Sequence, residues 1–236
     1  MVVACDSVGG IGPKPADSYR TDAWTTGHFA TRVPLLEVLC AGAEPLVVVN
    51  TLCVERDPTG EQMIDAVRAL AAEAGVAGEG VLGSTEENVA TRSTGIGITV
   101  IGRLREHETL QEPAAGDVVL CAGRPLSAPD DDVYPGHPDM VSMRQARAVL
   151  RSGLVGGAVP VGSKGIGWEV TQLAGRLRVR WRSGCTIDPG TSGGPSSCVL
   201  FSCPPENEPA VRAHFPSSLP VQVVAELVDP DQVAQE

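Results

Sequence analysis

The most informative part of this sequence is Gly83-Ser84-Thr85-Glu86-Glu87-Asn88, followed by the apolar run Gly95-Ile96-Gly97-Ile98-Thr99-Val100-Ile101-Gly102. The first part is a glycine turn that carries two adjacent carboxylates and an amide, and the second part has the composition of a buried strand. Oxygen ligands crowded at such a junction suit Mg²⁺. We therefore predict a metal-binding loop here. A polar hairpin loop whose Glu86 and Glu87 face water is the alternative.

The residues on either side of this stretch predict alternating strands and helices. The predicted elements are a strand from Met1 to Cys5, a loop at 9–15, a helix at 27–41, a strand at 46–54, a helix with a capping box at Thr59 and Gln62, a short strand at Leu82, and a strand at 96–104. This order, β-α-β-α-β-β, predicts a mixed sheet with helices packed on one face.

A polar segment with a proline at 105–115 is the best candidate for a domain boundary. We predict an N-terminal domain at 1–108 that binds ATP and metal and dimerises, and a C-terminal domain at 116–236. The predicted elements of the second half are strands at 117–121, 158–161, 179–181, 197–203 and 221–227 and helices at 138–151, 165–173 and 206–215. The predicted fold class is α+β, a mixed α/β arrangement in two domains.

Composition narrows the classes of function. The formal net charge of −11 argues against a general nucleic-acid or anionic-membrane surface. No apolar run approaches the roughly 20 residues of a membrane span, and no secretion signal is visible, so we expect a cytoplasmic protein. Seven cysteines without a CxxC pair indicate reduced, mostly buried thiols rather than a zinc or redox motif.

Both lysines of the chain, Lys14 and Lys164, lie in glycine-containing loops. In the first loop, Gly9, Gly10 and Gly12 allow backbone N–H groups to approach a phosphate closely, and Lys14 adds a positive charge. A flexible turn is the alternative for this loop.

The second lysine loop has the sequence Gly162-Ser163-Lys164-Gly165 and opens a predicted helix. Helix N-termini bind anions, so Ser163 and Lys164 are candidate phosphate ligands. A plain turn from strand to helix explains the same residues.

Three stretches resemble the aminoimidazole ribonucleotide (AIR) synthase-related, or PurM-like, superfamily of ATP-binding proteins. They are Val2-Val3-Ala4-Cys5-Asp6-Ser7, Glu37-Val38-Leu39-Cys40-Ala41-Gly42-Ala43-Glu44-Pro45 and Gly83-Ser84-Thr85-Glu86. Their order and spacing cover most of residues 2–102. The resemblance implies a two-domain AIR synthase-like fold in which two first-domain sheets join into a barrel in a homodimer, with ATP at the junction.

Within this superfamily, the segments 6–14, 83–88 and 161–166 are most similar to proteins associated with α-ribazole kinase. One departure is that Gly-Ser-Lys-Gly replaces the Ser-Asp-Gly of many members, which removes a carboxylate from the second domain. Larger members also place an acidic segment before the first strand, and we expect this chain to begin within that strand.

The resemblance implies a set of site residues. Asp6, Glu37 and Glu86 are the implied metal ligands, and Asp6 and Lys14 the implied catalytic residues. The implied cofactor-binding residues are Gly9, Gly10, Gly12, Asn50, Gly83, Ser84, Thr85, Asn88, Ser163 and Lys164. A strand-end cap for Asp6, a solvated helix face for Glu37, and turn or strand hydrogen bonds for Asn50 and Asn88 are the alternative interpretations.

The implied function is ATP- and Mg²⁺-dependent phosphoryl transfer to a small nucleoside-like substrate, as in α-ribazole kinase of cobalamin lower-ligand salvage. The acceptor pocket is expected in the second domain, where the motifs are weakest. Two alternatives are an ATP-dependent enzyme that activates an amide and closes a ring, as AIR synthase does, and a nucleotide-binding dimer without catalysis. No nucleic-acid or membrane partner is expected.

Overall fold

The computed structural model describes residues 1–104, 110 and 112–231. The described residues fall into two compact units, residues 1–39 with 43–104 and residues 40–42 with 110 and 112–231. Much of the predicted boundary segment at 105–115 lies outside the described residues. The exact limits of the two domains therefore stay a prediction.

The first unit contains the mixed sheet that the motifs predict. Its elements are β1 (Val2–Gly9), β2 (Ile11–Gly12), β3 (Tyr19–Arg20), α1 (Ala23–Cys40), β4 (Ala43–Leu52), α2 (Glu61–Ala74), β5 (Val81–Ser84) and β6 (Gly95–Leu104). The main sheet has the order β1-β6-β4-β5. β6 runs antiparallel to β1 and β4, whereas β5 runs parallel to β4. In the short parallel pair β2–β3, β2 lies in the predicted loop at 9–15, and β3 lies in a segment without a predicted element.

Side-chain alternation in β6 determines which face of this sheet is covered. Ile96, Ile98 and Val100 are buried, and the residues between them are partly exposed. α2 contacts β4 and β5 and buries its own apolar face. On the uncovered side, Val3 and Leu82 are 60% and 56% exposed. The sheet therefore has one helix-covered face and one open face.

The second unit is a five-stranded antiparallel sheet with three helices. Its elements are β7 (Val118–Ala122), α3 (Met143–Leu150), β8 (Gly157–Pro160), α4 (Gly165–Ala174), β9 (Arg178–Trp181), β10 (Val199–Cys203), α5 (Glu208–Arg212) and β11 (Val221–Val228). The strand order is β8-β10-β7-β11-β9, so β7 and β10 are interior strands, and every residue in them is buried. The α+β fold class is confirmed.

The start of α2 differs from the prediction. Thr59 and Gln62 form no capping box, because the backbone is already helical at Gly60 and the Gly60 N–H donates to the Glu55 carbonyl at 2.9 Å. A capping box is present instead at α3, between Ser142 and Gln145. Among the described residues, no helix is both long enough and apolar enough to cross a membrane.

All seven cysteines are free thiols. Cys40, Cys121, Cys198 and Cys203 are buried, as predicted. Cys185 is partly buried, and Cys5 and Cys53 are exposed. Cys5 projects from β1 onto the open side of the first sheet, and Cys53 lies just after β4.

Candidate functional site

A cavity of about 160 Å³ in the first unit contains four of the predicted cofactor-binding residues. Asn50, Gly83, Ser84 and Thr85 line it, and the residues that sequence reasoning did not select are Arg56, Ile64, Arg68, Val81 and Leu82. The cavity therefore combines apolar side chains, two guanidinium groups and the acidic loop's first residues in one place.

The parallel pairing of β4 and β5 brings the predicted residues together. Asn50 lies opposite Gly83, and Thr51 lies opposite Ser84. Asn50 is buried, and its side-chain amide donates to the Leu82 carbonyl at 2.8 Å. A Cβ atom at Gly83 would lie 2.2 Å from the Asn50 backbone oxygen. The absence of a side chain at Gly83 is therefore required for this close approach.

The acidic loop after β5 is held by its own hydrogen bonds. The Thr85 hydroxyl donates to Glu87 Oε1 at 2.6 Å, and the Arg56 N–H donates to the same oxygen at 3.1 Å. These two bonds, the Thr85 bond first, lower the pKa of Glu87 below its usual value. Glu86 is partly buried and accepts the Asn88 N–H at 2.6 Å. Both carboxylates thus have partners without a metal ion.

Arg56 and Arg68 are the cationic side chains of the cavity. The Arg56 Nε donates to Glu61 at 2.8 Å, and Arg68 Nη1 lies 3.7 Å from Asp65. Their side chains are 62% and 53% exposed, so both pairs are screened by water and worth little. A guanidinium has five N–H donors, and most of these remain for a bound anion. Sequence reasoning missed both residues because their approach to Gly83 depends on the pairing of β4 with β5.

The first glycine loop is folded against residues 93 and 94. The Gly10 N–H donates to the Thr94 carbonyl at 2.9 Å, so this amide is not free for a phosphate. Gly12 has a φ of +153°, and a Cβ atom there would lie 2.5 Å from Thr94 Oγ1. Gly9, at the end of β1, is exposed. The structure brings this loop to β6 rather than to the cavity.

Asp17 fixes the same loop. Its carboxylate accepts the Thr94 N–H at 2.6 Å, the Thr94 hydroxyl at 2.6 Å and the Lys14 N–H at 2.8 Å. Burial raises the pKa of Asp17, but the hydrogen bonds from Thr94, Ser93 and Lys14 outweigh burial and lower the pKa below its usual value. Asp17 therefore remains ionised as a structural anchor.

The Lys14 ammonium is paired with the carboxylate of Glu55, just after β4. Glu55 also accepts the Thr91 N–H at 2.8 Å and the Thr91 hydroxyl at 2.7 Å. The hydrogen bond from Lys14, followed by those of the backbone and Thr91, lowers the pKa of Glu55 to about 2. Glu55 was not among the predicted residues. It pairs with the one lysine of the first unit and directly precedes Arg56, which lines the cavity.

The three predicted metal ligands lie on separate elements. Asp6 is partly exposed on β1 opposite Ile98, Glu37 is exposed on α1, and Glu86 follows β5. Among the described residues, no group of three or more His, Cys, Asp or Glu side chains is arranged to hold a metal ion. Within one chain, these residues do not fit the Mg²⁺ site that the resemblance implies.

In the second unit, Ser163 and Lys164 are both exposed just before α4. The Lys164 Nζ lies 4.1 Å from the ring centre of Trp168, a cation–π contact. The Gly162 N–H donates to the Glu169 carboxylate, whose pKa is nevertheless raised by burial. A carboxylate thus already occupies part of the predicted anion loop. Asn88, in the first unit, is exposed.

Comparisons with known proteins agree with the fold. Residues 1–104 match the family described as AIR synthase related protein, N-terminal domain. Among solved structures, thiamine-monophosphate kinase from Stenotrophomonas maltophilia matches with a TM-score of 0.66 and 16% identity, covering 97% of this chain and 82% of that protein. The hydrogenase maturation protein HypE in complex with ATP matches with a TM-score of 0.68 and 15% identity, covering 99% and 78%.

PurL from Thermotoga maritima, complexed with ATP, matches with a TM-score of 0.66 and 17% identity. This match covers 96% of the chain and 40% of PurL. No curated protein sequence matches. At these identities the solved structures establish the fold, which is the predicted AIR synthase-like one. Together with the match of residues 1–104, they support the resemblance to the AIR synthase-related superfamily.

Proposed function

We propose that this chain binds ATP at the cavity between β4, β5 and α2 and transfers a phosphoryl group to a small nucleoside-like substrate. One observation carries the proposal. Asn50, Gly83, Ser84 and Thr85, selected from sequence as cofactor-binding residues, line a single cavity together with Arg56 and Arg68. This cavity lies within the residues that match the AIR synthase-related family.

The chemistry of the lining suits a nucleotide. Ile64 and Val81 offer apolar contact to a base or ribose, and the guanidinium groups of Arg56 and Arg68 suit phosphate oxygens. At about 160 Å³ the cavity is smaller than the roughly 300–1,000 Å³ of pockets that enclose a drug-sized ligand. Only part of ATP is therefore enclosed, and the rest lies over exposed surface.

The comparisons support ATP chemistry, and the sequence similarity indicates the acceptor. The fold is shared with a thiamine-monophosphate kinase and with two proteins solved in complex with ATP. The acceptor class comes from the similarity of segments 6–14 and 83–88 to proteins associated with α-ribazole kinase. Ser163 and Lys164 remain candidate ligands in the second unit.

In the proposed reaction, Mg²⁺ is the ion that accompanies ATP. Mg²⁺ keeps several waters and binds substrate phosphates, with one or two carboxylates from the protein. Asp6, Glu37 and Glu86 form no common site in one chain. The proposed transfer therefore assigns no metal-binding role to these three carboxylates, and titration with and without Mg²⁺ tests whether the ion is needed for ATP binding.

A homodimer formed through the open face of the first sheet is part of the proposal. Val3 and Leu82 are more than half exposed on that face, and Val47, Val49 and Ile101 are partly exposed beside them. Contiguous exposed apolar surface on a small domain marks an interaction site. A second copy of the same face supplies a matching apolar surface.

Two observations favour a second candidate, a nucleotide-binding dimer without catalysis. The Lys14 ammonium is engaged by Glu55, and the predicted acids do not converge. In that case ATP binds and no phosphoryl group is transferred.

The test is calorimetric titration with ATP, with and without Mg²⁺, followed by a product assay over a nucleoside panel that includes α-ribazole. The kinase proposal predicts ADP and a phosphorylated nucleoside. ATP binding without turnover on any acceptor would establish the non-catalytic candidate, and ADP release only with an amide or amidine substrate would indicate the AIR synthase-type reaction. Absence of ATP binding would refute both the kinase and the non-catalytic candidate.

A further inference from the structure

The most basic segment of this acidic protein lies far in sequence from the proposed ATP site. Residues 176–182 contain Arg176, Arg178, Arg180 and Arg182, which are four of the 18 Lys and Arg residues of the chain. All four are exposed. The chain as a whole has a net charge of −11, so this segment is a local reversal of charge.

Arg178 and Arg180 lie in the strand β9, and Arg182 is the residue directly after it. Residues two apart in a strand project from the same face at a spacing of about 6.8 Å, so Arg178, Arg180 and Arg182 form a row. β9 is the last strand of its sheet and pairs with β11 on one side only. In the described part of the chain, no strand pairs with its other side.

The row is largely without acidic partners. Arg180 lies 3.7 Å from Glu226 of β11, and both side chains are more than a third exposed, so water screens the pair. Among the described residues, Arg176, Arg178 and Arg182 form no ion pair within 4 Å. Internal structure therefore does not account for this concentration of charge.

The backbone of β9 presents unpaired groups to the open edge. The Arg182 N–H donates to the Val224 carbonyl at 2.9 Å, so the backbone of the even-numbered residues points toward β11. In an antiparallel ladder the direction alternates, and the N–H and C=O groups of Val179 and Trp181 therefore point outward. The edge thus combines a row of arginines with free backbone donors and acceptors.

From this combination we infer that the open edge of β9 binds an extended acidic segment of a partner protein by strand addition. The added strand pairs its backbone with Val179 and Trp181 and places alternate Asp or Glu side chains beside the arginine row. Opposite charges in such cross-strand positions are favourable. The spacing and charge of the arginine row therefore select a partner segment with acidic side chains at alternate positions.

Other occupants fit less well. Pairing of β9 with β9 of a second copy would place arginines beside arginines, which is destabilising. A nucleic acid would satisfy the charges but leave the outward backbone groups unpaired. Charged residues on an edge strand also discourage nonspecific association, and a row of arginines rejects neutral and basic strands while admitting acidic ones.

The experiment uses the full chain and a fluorescein-labelled peptide of alternating glutamate and valine, followed by fluorescence polarisation. We expect saturable binding that the double variant R178E/R180E weakens by about tenfold or more, as for loss of charge-assisted contacts. The matched control is Arg151→Glu, at an exposed arginine after α3, which leaves binding unchanged. Circular dichroism establishes that each variant is folded.

A second probe separates strand addition from simple charge attraction and leaves the protein unaltered. The same peptide with N-methylated alternate amides keeps its charge but cannot pair with an edge strand. Strand addition predicts that this peptide binds about tenfold more weakly or not at all. Equal binding of the two peptides, no binding of the parent peptide, or tighter binding of an oligothymidylate would each overturn the inference.

Discussion

Lys14 and Glu55 form an ion pair across 41 positions of sequence, and their side chains are only 14% and 25% exposed. The pair joins the first glycine loop to the end of β4. Because Glu55 also accepts two hydrogen bonds from Thr91, it connects three separate segments of the first unit. Its ionisation is therefore coupled to the folding of this unit.

The first prediction concerns pH. The pKa of Glu55 is lowered to about 2 in the folded protein from an ordinary 4.5, so its stabilising contribution is fully present above pH 4.5. This contribution is lost as the pH falls from 4.5 toward about 2. Glu55→Gln is therefore expected to lower the melting temperature at neutral pH, and the difference from wild type shrinks across that window. Thermal unfolding followed by circular dichroism measures it.

The control for this experiment is Glu79→Gln. Glu79 is exposed, and it forms no ion pair or hydrogen bond among the described residues. Its replacement is expected to leave the pH profile of stability unchanged. A difference between wild type and Glu55→Gln that stays constant down to the lowest pH would show that ionisation of Glu55 does not stabilise the fold.

The second prediction tests Lys14 as a site residue that the resemblance implies, although Lys14 does not line the cavity. Lys14→Ala is expected to weaken ATP binding by about tenfold, because a hydrogen bond to a charged group is worth about 1.5–3 kcal/mol. Isothermal titration measures the affinity. Glu55→Gln releases the Lys14 ammonium and is expected to keep or improve the affinity. Unchanged ATP affinity in Lys14→Ala would remove Lys14 from the site and leave it a purely structural role.

The third prediction concerns the two arginines of the cavity. Arg56→Ala and Arg68→Ala are each expected to weaken ATP binding by about tenfold, since each removes a charge-assisted contact to phosphate. Their loss costs little stability, because their ion pairs are exposed. Arg103→Ala is the matched control, since Arg103 is a similarly exposed residue of β6 outside the cavity. If all three variants bind ATP alike, the cavity is not the nucleotide site.

The strand pattern was predictable from sequence because it depends on local alternation. In the run from Gly95 to Gly102, every second residue lies on the buried face, and Ile96, Ile98 and Val100 supply apolar side chains there. This alternation specifies both a strand and the face that it buries. Asn50 and Gly83 were candidates because of the resemblance to the AIR synthase-related superfamily. Their position opposite each other comes from the parallel pairing of β4 and β5, which the local sequence does not specify.

The contacts of charged side chains were not predictable in the same way. The partner of Lys14 is 41 residues away, and nothing in the local sequence specifies Glu55. The capping box predicted at Thr59 is absent because the backbone is already helical at Gly60, whose N–H donates to the Glu55 carbonyl. Convergence of Asp6, Glu37 and Glu86 required a three-dimensional relation that no short motif encodes.

The fourth prediction tests the close approach of β4 and β5. Gly83→Ala would place a Cβ atom 2.2 Å from the Asn50 backbone oxygen and 2.3 Å from its Oδ1. Overpacking of this kind costs about 1–3 kcal/mol of unfolding free energy. Urea denaturation measures the change. The control is Gly78→Ala, where a Cβ atom meets nothing within 4 Å, so its unfolding free energy is expected to stay close to that of wild type.

The fifth prediction concerns the homodimer. Val3 and Leu82 lie on the open face of the first sheet and are 60% and 56% exposed, so an aspartate at either position costs the monomer little. In a dimer formed through this face, the aspartate would be buried without a partner, which is strongly unfavourable. The double variant V3D/L82D is therefore expected to elute as a monomer in size-exclusion chromatography with light scattering. Val89→Asp, at a 62% exposed position outside the sheet, is expected to remain dimeric. A dimeric V3D/L82D protein would place the interface elsewhere, because no dimer could bury two aspartates per chain on an apolar sheet face and remain stable.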